Sequence, residues 1–304
     1  MLRMATRDEV RAFWEDTRAA LARVPIDATV EPVDTPAPFL DERPTRTRTV
    51  HRVIMSSFED KRIRGWYCLP AGVPPAHGWP AVLEVPGYAG VLALPMHLIA
   101  YGYATLSLFP RGQGESAQDW KLEQGTRLTY NVTDRDRYYY RGAYMDCVRG
   151  VDFLSSQPEI DASRVGVWGY SQGGGLSLAT AALDRRIGAT VAGVPWLCNF
   201  PMAAESSTPP YSELRDYVTQ HPDQRQQALE TLTYFDQLTL SQEITSPVLA
   251  GGSSLDEVHP IRSWMPVFEK IPTLKSAVVY PDTEHGWRAD FTAQGKAWLD
   301  RYLR

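Results

Sequence analysis

The chain is 304 residues long and 43% hydrophobic, with 31 lysines and arginines against 36 aspartates and glutamates. It can bury one large α/β domain with insertions, or two small ones, and with no long run of one charge it offers nothing to a nucleic acid or other polyanion. No stretch reaches the ~18 apolar residues of a membrane span, and residues 1–22 lack the apolar core of a signal peptide. Three widely spaced cysteines, Cys68, Cys147 and Cys198, read as core thiols in a reducing, cytoplasmic compartment.

Residues 6–23 set Val10, Phe13, Trp14 and Leu21 among charges, which predicts an amphipathic helix outside the main sheet. Pro25 to Pro44 reads as extended chain crossing a surface, and together these segments make an N-terminal extension of about residues 1–48. Thr49–Ser57 and Arg62–Leu69, joined by a charged turn at Glu59-Asp60-Lys61, predict an antiparallel pair. From Ala81 onward apolar runs alternate with helices, the pattern of a parallel sheet covered on both faces. The strands fall at Ala81–Val85, Ala104–Phe109, Arg164–Trp168, Ala189–Gly193, Pro247–Gly251 and Ala277–Tyr280. Within Tyr138–Ser155, the spacing of Tyr144, Cys147, Val148, Val151 and Leu154 predicts a helix with one face on the sheet. Pro195–Gln242 interrupts the alternation and reads as short helices and loops inserted over an active site. A last helix spans Arg288–Leu303. There is no internal repeat or low-complexity tract. The expected fold is α/β: a single domain over residues 1–304, with a mostly parallel central sheet, helices on both faces and a cap-like insertion at about 195–242.

Gly169-Tyr170-Ser171-Gln172-Gly173 lies between an apolar strand and the alanine-rich run Leu176 to Leu183. Strand, Gly-x-Ser-x-Gly, helix is the context of a nucleophile elbow, in which a strained turn lifts the serine hydroxyl clear of the sheet. Side chains at Gly169 and Gly173 would collide there, and the Gln172 N–H would stand beside the Ser171 oxygen as an oxyanion donor. The alternative is a tight glycine turn with Ser171 as an ordinary helix cap. An elbow serine needs a base and an orienting acid, which follow in the order Ser, acid, His after later strands. Asp256 and His285 occupy those loops. Glu257 and Asp282 compete for the acid, the latter better placed to shape a turn, and His259 is a second candidate base that reads better as a helix-entry residue beside Pro260. A metal site from Asp256, His259 and His285 is conceivable, but no ligand pair has a recognised spacing. His51, His77, His97 and His221 read as structural.

The loop Val85-Pro86-Gly87-Tyr88-Ala89-Gly90 offers the Tyr88 N–H as second oxyanion donor, with the Tyr88 ring as a wall against a small acyl group; a plain turn is the alternative. Arg111-Gly112-Gln113-Gly114 lacks the lysine of a phosphate loop, so Arg111 reads as a buried tether near the site, with Gln113 beside it.

These motifs, with Phe13-Trp14-Glu15, Ile63-Arg64-Gly65-Trp66, Arg137-Tyr138-Tyr139-Tyr140-Arg141, Val194-Pro195-Trp196-Leu197-Cys198 and Leu232-Thr233-Tyr234-Phe235-Asp236, occur in order over nearly the whole chain. The chain thereby resembles the acetyl xylan esterase and cephalosporin C deacetylase family, carbohydrate esterase family 7, of the α/β-hydrolases. The resemblance implies a cofactor-free serine esterase that deacetylates small acetylated sugars, xylo-oligosaccharides and related alcohols such as cephalosporin C through an acetyl-enzyme. By motif position it puts the triad on Ser171, Asp256 and His285 and the oxyanion donors on the amides of Tyr88 and Gln172. It also implies a cytoplasmic homo-oligomer, often a hexamer. Three places depart from the family: Gly286 in place of Glu after the histidine, Tyr170 where a second glycine is common, and a shorter stretch at Ala117–Thr133. A hydrolase of different acyl preference, a serine peptidase of the prolyl-oligopeptidase type and a non-catalytic protein of the same fold are the other readings.

Overall fold

The computed structural model describes residues 5–33, 49–92 and 94–304. Among them one sheet holds β1 (Thr29–Pro32), β2 (Thr49–Ser56), β3 (Arg62–Leu69), β4 (Trp79–Val85), β5 (Ala104–Phe109), β6 (Ile160–Tyr170), β7 (Ile187–Gly193), β8 (Val248–Ser253) and β9 (Lys275–Tyr280). Their order across the sheet is β1-β2-β3-β5-β4-β6-β7-β8-β9. The β1–β2, β2–β3 and β3–β5 pairs are antiparallel, and from β5 to β9 every pair is parallel. Every residue of β5 and β8 is buried, which is why these strands read as continuous apolar or small-residue runs rather than alternating ones. On the outer strand β9 exposure alternates instead, with Val279 41% exposed.

Helices are α1 (Arg7–Ala22), α2 (Met96–Ile99), α3 (Tyr139–Ser156), α4 (Gln172–Leu183), α5 (Phe200–Ala203), α6 (Tyr211–Gln220), α7 (Arg225–Leu232), α8 (Gln237–Leu240), α9 (Ile261–Lys270) and α10 (Ala289–Leu303). One face of the sheet packs against α3 and α4 around Leu83, Leu106, Val151, Val167 and Leu176. The opposite face packs Val82, Trp168, Val191 and Leu249 against Phe291, Leu299 and Leu303 of α10. The result is the expected layered α/β architecture.

Thr6 starts α1 with a capping box: its side chain accepts from the Glu9 N–H, and the Glu9 carboxylate accepts from the Thr6 N–H. α1 then lays Trp14 against Tyr144 of α3 and donates its indole N–H to Tyr234 O at 2.8 Å. The inserted segment supplies α5 to α8, and Trp196, Phe200, Tyr211, Leu214 and Phe235 join the same core as α3 and α4. Among the described residues no helix is long and apolar enough to cross a membrane.

Some details go beyond the sequence reading or differ from it. Thr29–Pro32 pairs with β2 as a strand, where only extended chain was expected; the rest of Pro25–Pro44 beyond residue 33 lies outside the described residues. β6 begins at Ile160 rather than Arg164, and α4 starts at Gln172, directly on the elbow. α9 forms despite Pro266 inside it, because Ser263, Trp264 and Val267 are buried against the sheet.

Candidate active site

Ser171 sits between β6 and α4 at φ 57°, ψ −118°, a strained conformation for a residue with a side chain. Its N–H donates to Gly193 O at 2.8 Å, and its carbonyl accepts from Trp196 N at 2.9 Å and Gly175 N at 3.2 Å. The backbone is therefore fixed, and the hydroxyl hydrogen-bonds to no described residue. The flanking glycines are sterically required: a Cβ on Gly169 would lie 2.1 Å from Gly173 O, and one on Gly173 would lie 2.3 Å from Val85 O.

His285 follows β9 and Asp256 follows β8, both at the carboxyl edge of the sheet from which Ser171 emerges. The structure brings the two together, with His285 Nδ1 2.7 Å from Asp256 Oδ2. The aspartate side chain is fully buried and the histidine side chain 24% exposed, so the carboxylate is shielded while the ring keeps one side toward solvent. Asp256 Oδ1 accepts the backbone N–H of His259 at 2.7 Å, which locks the carboxylate plane. On the far side of His285 lies the ring of Tyr170, the residue before the elbow serine, with centroids 6.2 Å apart.

Two backbone N–H groups stand free nearby. Gln172 is the first residue of α4, so its N–H has no acceptor within the helix. The Gln172 side chain donates to Pro86 O at 3.2 Å and Gly87 O at 3.3 Å. Because a trans peptide points its N–H opposite its C=O, the Tyr88 amide faces away from the Gln172 side chain, and it finds no acceptor among the described residues. Gln113 Oε1 accepts from Gln172 Nε2 at 3.2 Å, and Tyr140 OH donates to Gln172 Oε1 at 2.8 Å. A cavity of about 1050 Å³ opens beside the histidine, lined among others by Asp256, His285, Ser206, Thr208, Ser254 and Arg262.

The chain has known relatives. Residues 2–302 match the family model described as acetyl xylan esterase (AXE1). The acetyl esterase Axe7A of Xylanibacter ruminicola is 30% identical over 242 residues, which cover 74% of this chain and 54% of that protein. The chain belongs to the acetyl xylan esterase family.

Its fold is correspondingly that of the α/β-hydrolases. An acetyl xylan esterase from Paenibacillus sp. R4 superposes with a TM-score of 0.89 at 28% identity, covering 99% of this chain and 96% of the other. Acetyl xylan esterase 1 from Thermoanaerobacterium sp. JW/SL YS485 superposes at 0.86 over 98% and 94%, and at 22% identity this speaks to the fold alone. The chain spans about half the length of Axe7A.

In this member of the acetyl xylan esterase family, the competing candidates sort by burial. His259 is fully buried, with Ser263 Oγ 3.2 Å from its Nδ1. Burial and then the neighbouring His285 push its pKa down to about 3, so it stays neutral at ordinary pH and is not exposed as a base. Glu257 is exposed, and Asp282 lies at φ 52° in the turn it was expected to shape. Among the described residues no group of three His, Cys, Asp or Glu side chains is arranged to hold a metal ion. Arg111 is buried, as expected of a tether: it meets Asp146 through Nε at 2.9 Å and Nη2 at 2.9 Å and donates to Phe58 O at 2.8 Å. Sequence reasoning missed Arg127, whose Nη1 donates to Tyr88 O at 2.7 Å, and Glu213, which accepts from the Tyr88 hydroxyl at 2.6 Å. Neither lies in a recognisable motif, so no local signal marks them.

Proposed function

We propose that the chain is a serine esterase that removes acetyl groups from small acetylated carbohydrates, xylo-oligosaccharides among them, and from related alcohols such as cephalosporin C. The observation that carries this reading is the 2.7 Å contact of His285 with a buried Asp256, at the sheet edge beside a strained elbow serine. Asp256 holds the imidazole tautomer that leaves Nε2 free to take a proton. Ser171 Oγ attacks the ester carbonyl as His285 accepts its proton, and the developing oxyanion is held by the N–H groups of Tyr88 and Gln172. The alcohol departs with the proton from His285, leaving acetyl-Ser171. Water then attacks the acetyl carbon, again through His285, and releases acetate. Among the described residues the hydroxyl has no hydrogen-bond partner, which suits sites whose catalytic contacts tighten on substrate.

Two features support the substrate class. Beside the elbow, the Tyr88 and Trp196 rings meet edge to face at 4.9 Å, a wall that we read as a limit on acyl length. On the histidine side, where the alcohol leaves, the cavity is wide and carries Ser206, Ser207, Thr208 and Ser254, hydroxyl-bearing side chains suited to a polyol. The compartment proposed is a reducing one, because Cys68, Cys147 and Cys198 are all buried and free.

The test is hydrolysis of 4-nitrophenyl acetate and acetylated xylo-oligosaccharides by the wild type and Ser171→Ala, with fluorophosphonate labelling mapped to its residue. Label on Ser171 and a loss of at least about 10³-fold in turnover for the variant are expected. Near-wild-type turnover in Ser171→Ala overturns the proposal.

A further inference from the structure

Tyr88 is gripped at both ends. At the backbone, Arg127 Nη1 donates to its carbonyl at 2.7 Å, and the Arg127 guanidinium lies 5.3 Å from its ring centroid. The preceding carbonyls of Pro86 and Gly87 are held by the Gln172 side chain. At the tip, the hydroxyl donates to Glu213 Oε2 at 2.6 Å. Glu213 lies in the first turn of α6, inside the inserted segment, and meets no cation within ion-pair distance among the described residues. The Tyr88 ring also packs on Trp196, whose ring packs on Tyr211 at the start of α6, each at 4.9 Å. One phenol thus bridges the loop after β4 and a helix that carries no triad candidate. A hydrogen bond to a carboxylate is stronger than one between neutral groups, and burial, reinforced by Glu213, raises the hydroxyl pKa so that the donor stays protonated.

We infer that Glu213 is a positioning residue: through the Tyr88 hydroxyl it fixes where the Tyr88 amide points and how much space the Tyr88 and Trp196 rings leave for the acyl group. The inference rests on the reading of Ser171 as nucleophile and of the Tyr88 N–H as oxyanion donor. Its content is that α6 controls both rate and acyl length by way of one bond. Severing that bond releases the hydroxyl end of the Tyr88 ring from α6, so the ring can turn away from the elbow. The amide then loses its aim, and the space it guarded admits a longer chain.

The experiment compares 4-nitrophenyl acetate and butyrate with the wild type, Glu213→Ala, Glu213→Gln, Tyr88→Phe and the Glu213→Ala/Tyr88→Phe double variant, each checked by thermal midpoint. Glu213→Ala and Tyr88→Phe are expected to lower kcat on acetate about tenfold or more with KM little changed. Each should raise the butyrate-to-acetate ratio of kcat/KM at least about threefold. The double variant should be no worse than the weaker single, because both remove the same bond. Glu213→Gln keeps an acceptor oxygen and should return to within about threefold of wild type. If Glu213→Ala does not fold, Tyr88→Phe, which removes one oxygen, decides alone. Unchanged acetate turnover and acyl ratio, or losses that multiply in the double variant, overturn the inference. Ser171→Ala separates the two levels: if it is inactive while the ratios are unchanged, only the role of Glu213 falls, and if it is active, both readings fall.

Discussion

One carboxylate, that of Asp256, holds two histidines at once: the ring of His285 through Oδ2 at 2.7 Å and the backbone of His259 through Oδ1 at 2.7 Å. The oxygen that faces His285 therefore cannot rotate away without breaking the second bond. Asp256→Asn keeps the shape but puts an amide in the place of one of these acceptors. With its N–H₂ toward His285 Nδ1 it stabilises the wrong tautomer, as general principle predicts for an Asp-to-Asn change in a triad. We expect kcat on 4-nitrophenyl acetate to fall about 10³- to 10⁴-fold, with a thermal midpoint close to wild type. A fall of less than about tenfold would remove Asp256 from the mechanism.

Gly169→Ala tests the geometry of the elbow rather than its chemistry. Its new methyl group would press on Gly173 O at 2.1 Å, a backbone atom that cannot swing aside. Destabilisation of about 1–3 kcal/mol or more is expected, read by chemical denaturation, together with loss of fluorophosphonate labelling. A stable, reactive Gly169→Ala protein would mean that the turn tolerates a side chain and is not a strained elbow.

Arg111 and Asp146 form a buried pair in which the aspartate also accepts from Arg111 N at 2.9 Å and Ser57 Oγ at 2.6 Å. The guanidinium rests against Gly142 of α3, where a Cβ would lie 2.2 Å from Nη1. Arg111→Ala leaves the carboxylate buried without its cation and should cost about 3–5 kcal/mol in denaturant unfolding. Arg111→Lys should recover only part of this, because an ammonium cannot span both oxygens and Phe58 O.

Glu84 gives the fold a pH dependence of its own. It is buried on β4, accepts from Ser107 Oγ at 2.6 Å, and burial raises its pKa from 4.5 to about 7. The folded chain thus binds this proton more tightly than the unfolded one. The stabilisation is complete below about pH 4.5 and is lost as pH rises through about 7, with a total near ~3 kcal/mol. His97, 3.8 Å away, pulls the other way at acidic pH, since burial lowers its pKa to about 4. The Glu84→Gln difference isolates the carboxyl: the variant should gain on the wild type as pH climbs from 5 to 8 in thermal melts. A difference that does not vary with pH would contradict the assignment.

How much of this the sequence reveals depends on how local each constraint is. The elbow is legible because Gly169 collides with the Gly173 backbone within one turn, and the flanking strand and helix are continuous apolar runs. The Asp256–His285 contact is legible as two loops after successive parallel strands, since topology delivers both to one edge. β1 is not, because Thr29–Pro32 is exposed throughout and gains its identity from pairing with β2. α9 is legible only at its entry beside Pro260, because Pro266 within it is a poor helix former whose effect is overridden by burial of Trp264. Arg127 and Glu213 are invisible for a third reason: each reaches Tyr88 across a large separation in sequence, and no spacing rule encodes that meeting.

The base is suspended from an edge of the sheet. Ser171 is rooted at the end of the interior strand β6, but His285 hangs from β9, an edge strand whose side chains are half in solvent. Margins fray before centres do. On warming, turnover should therefore vanish while circular dichroism still reports a native fold, and a gently heated sample would hold intact molecules whose serines have lost their proton acceptor.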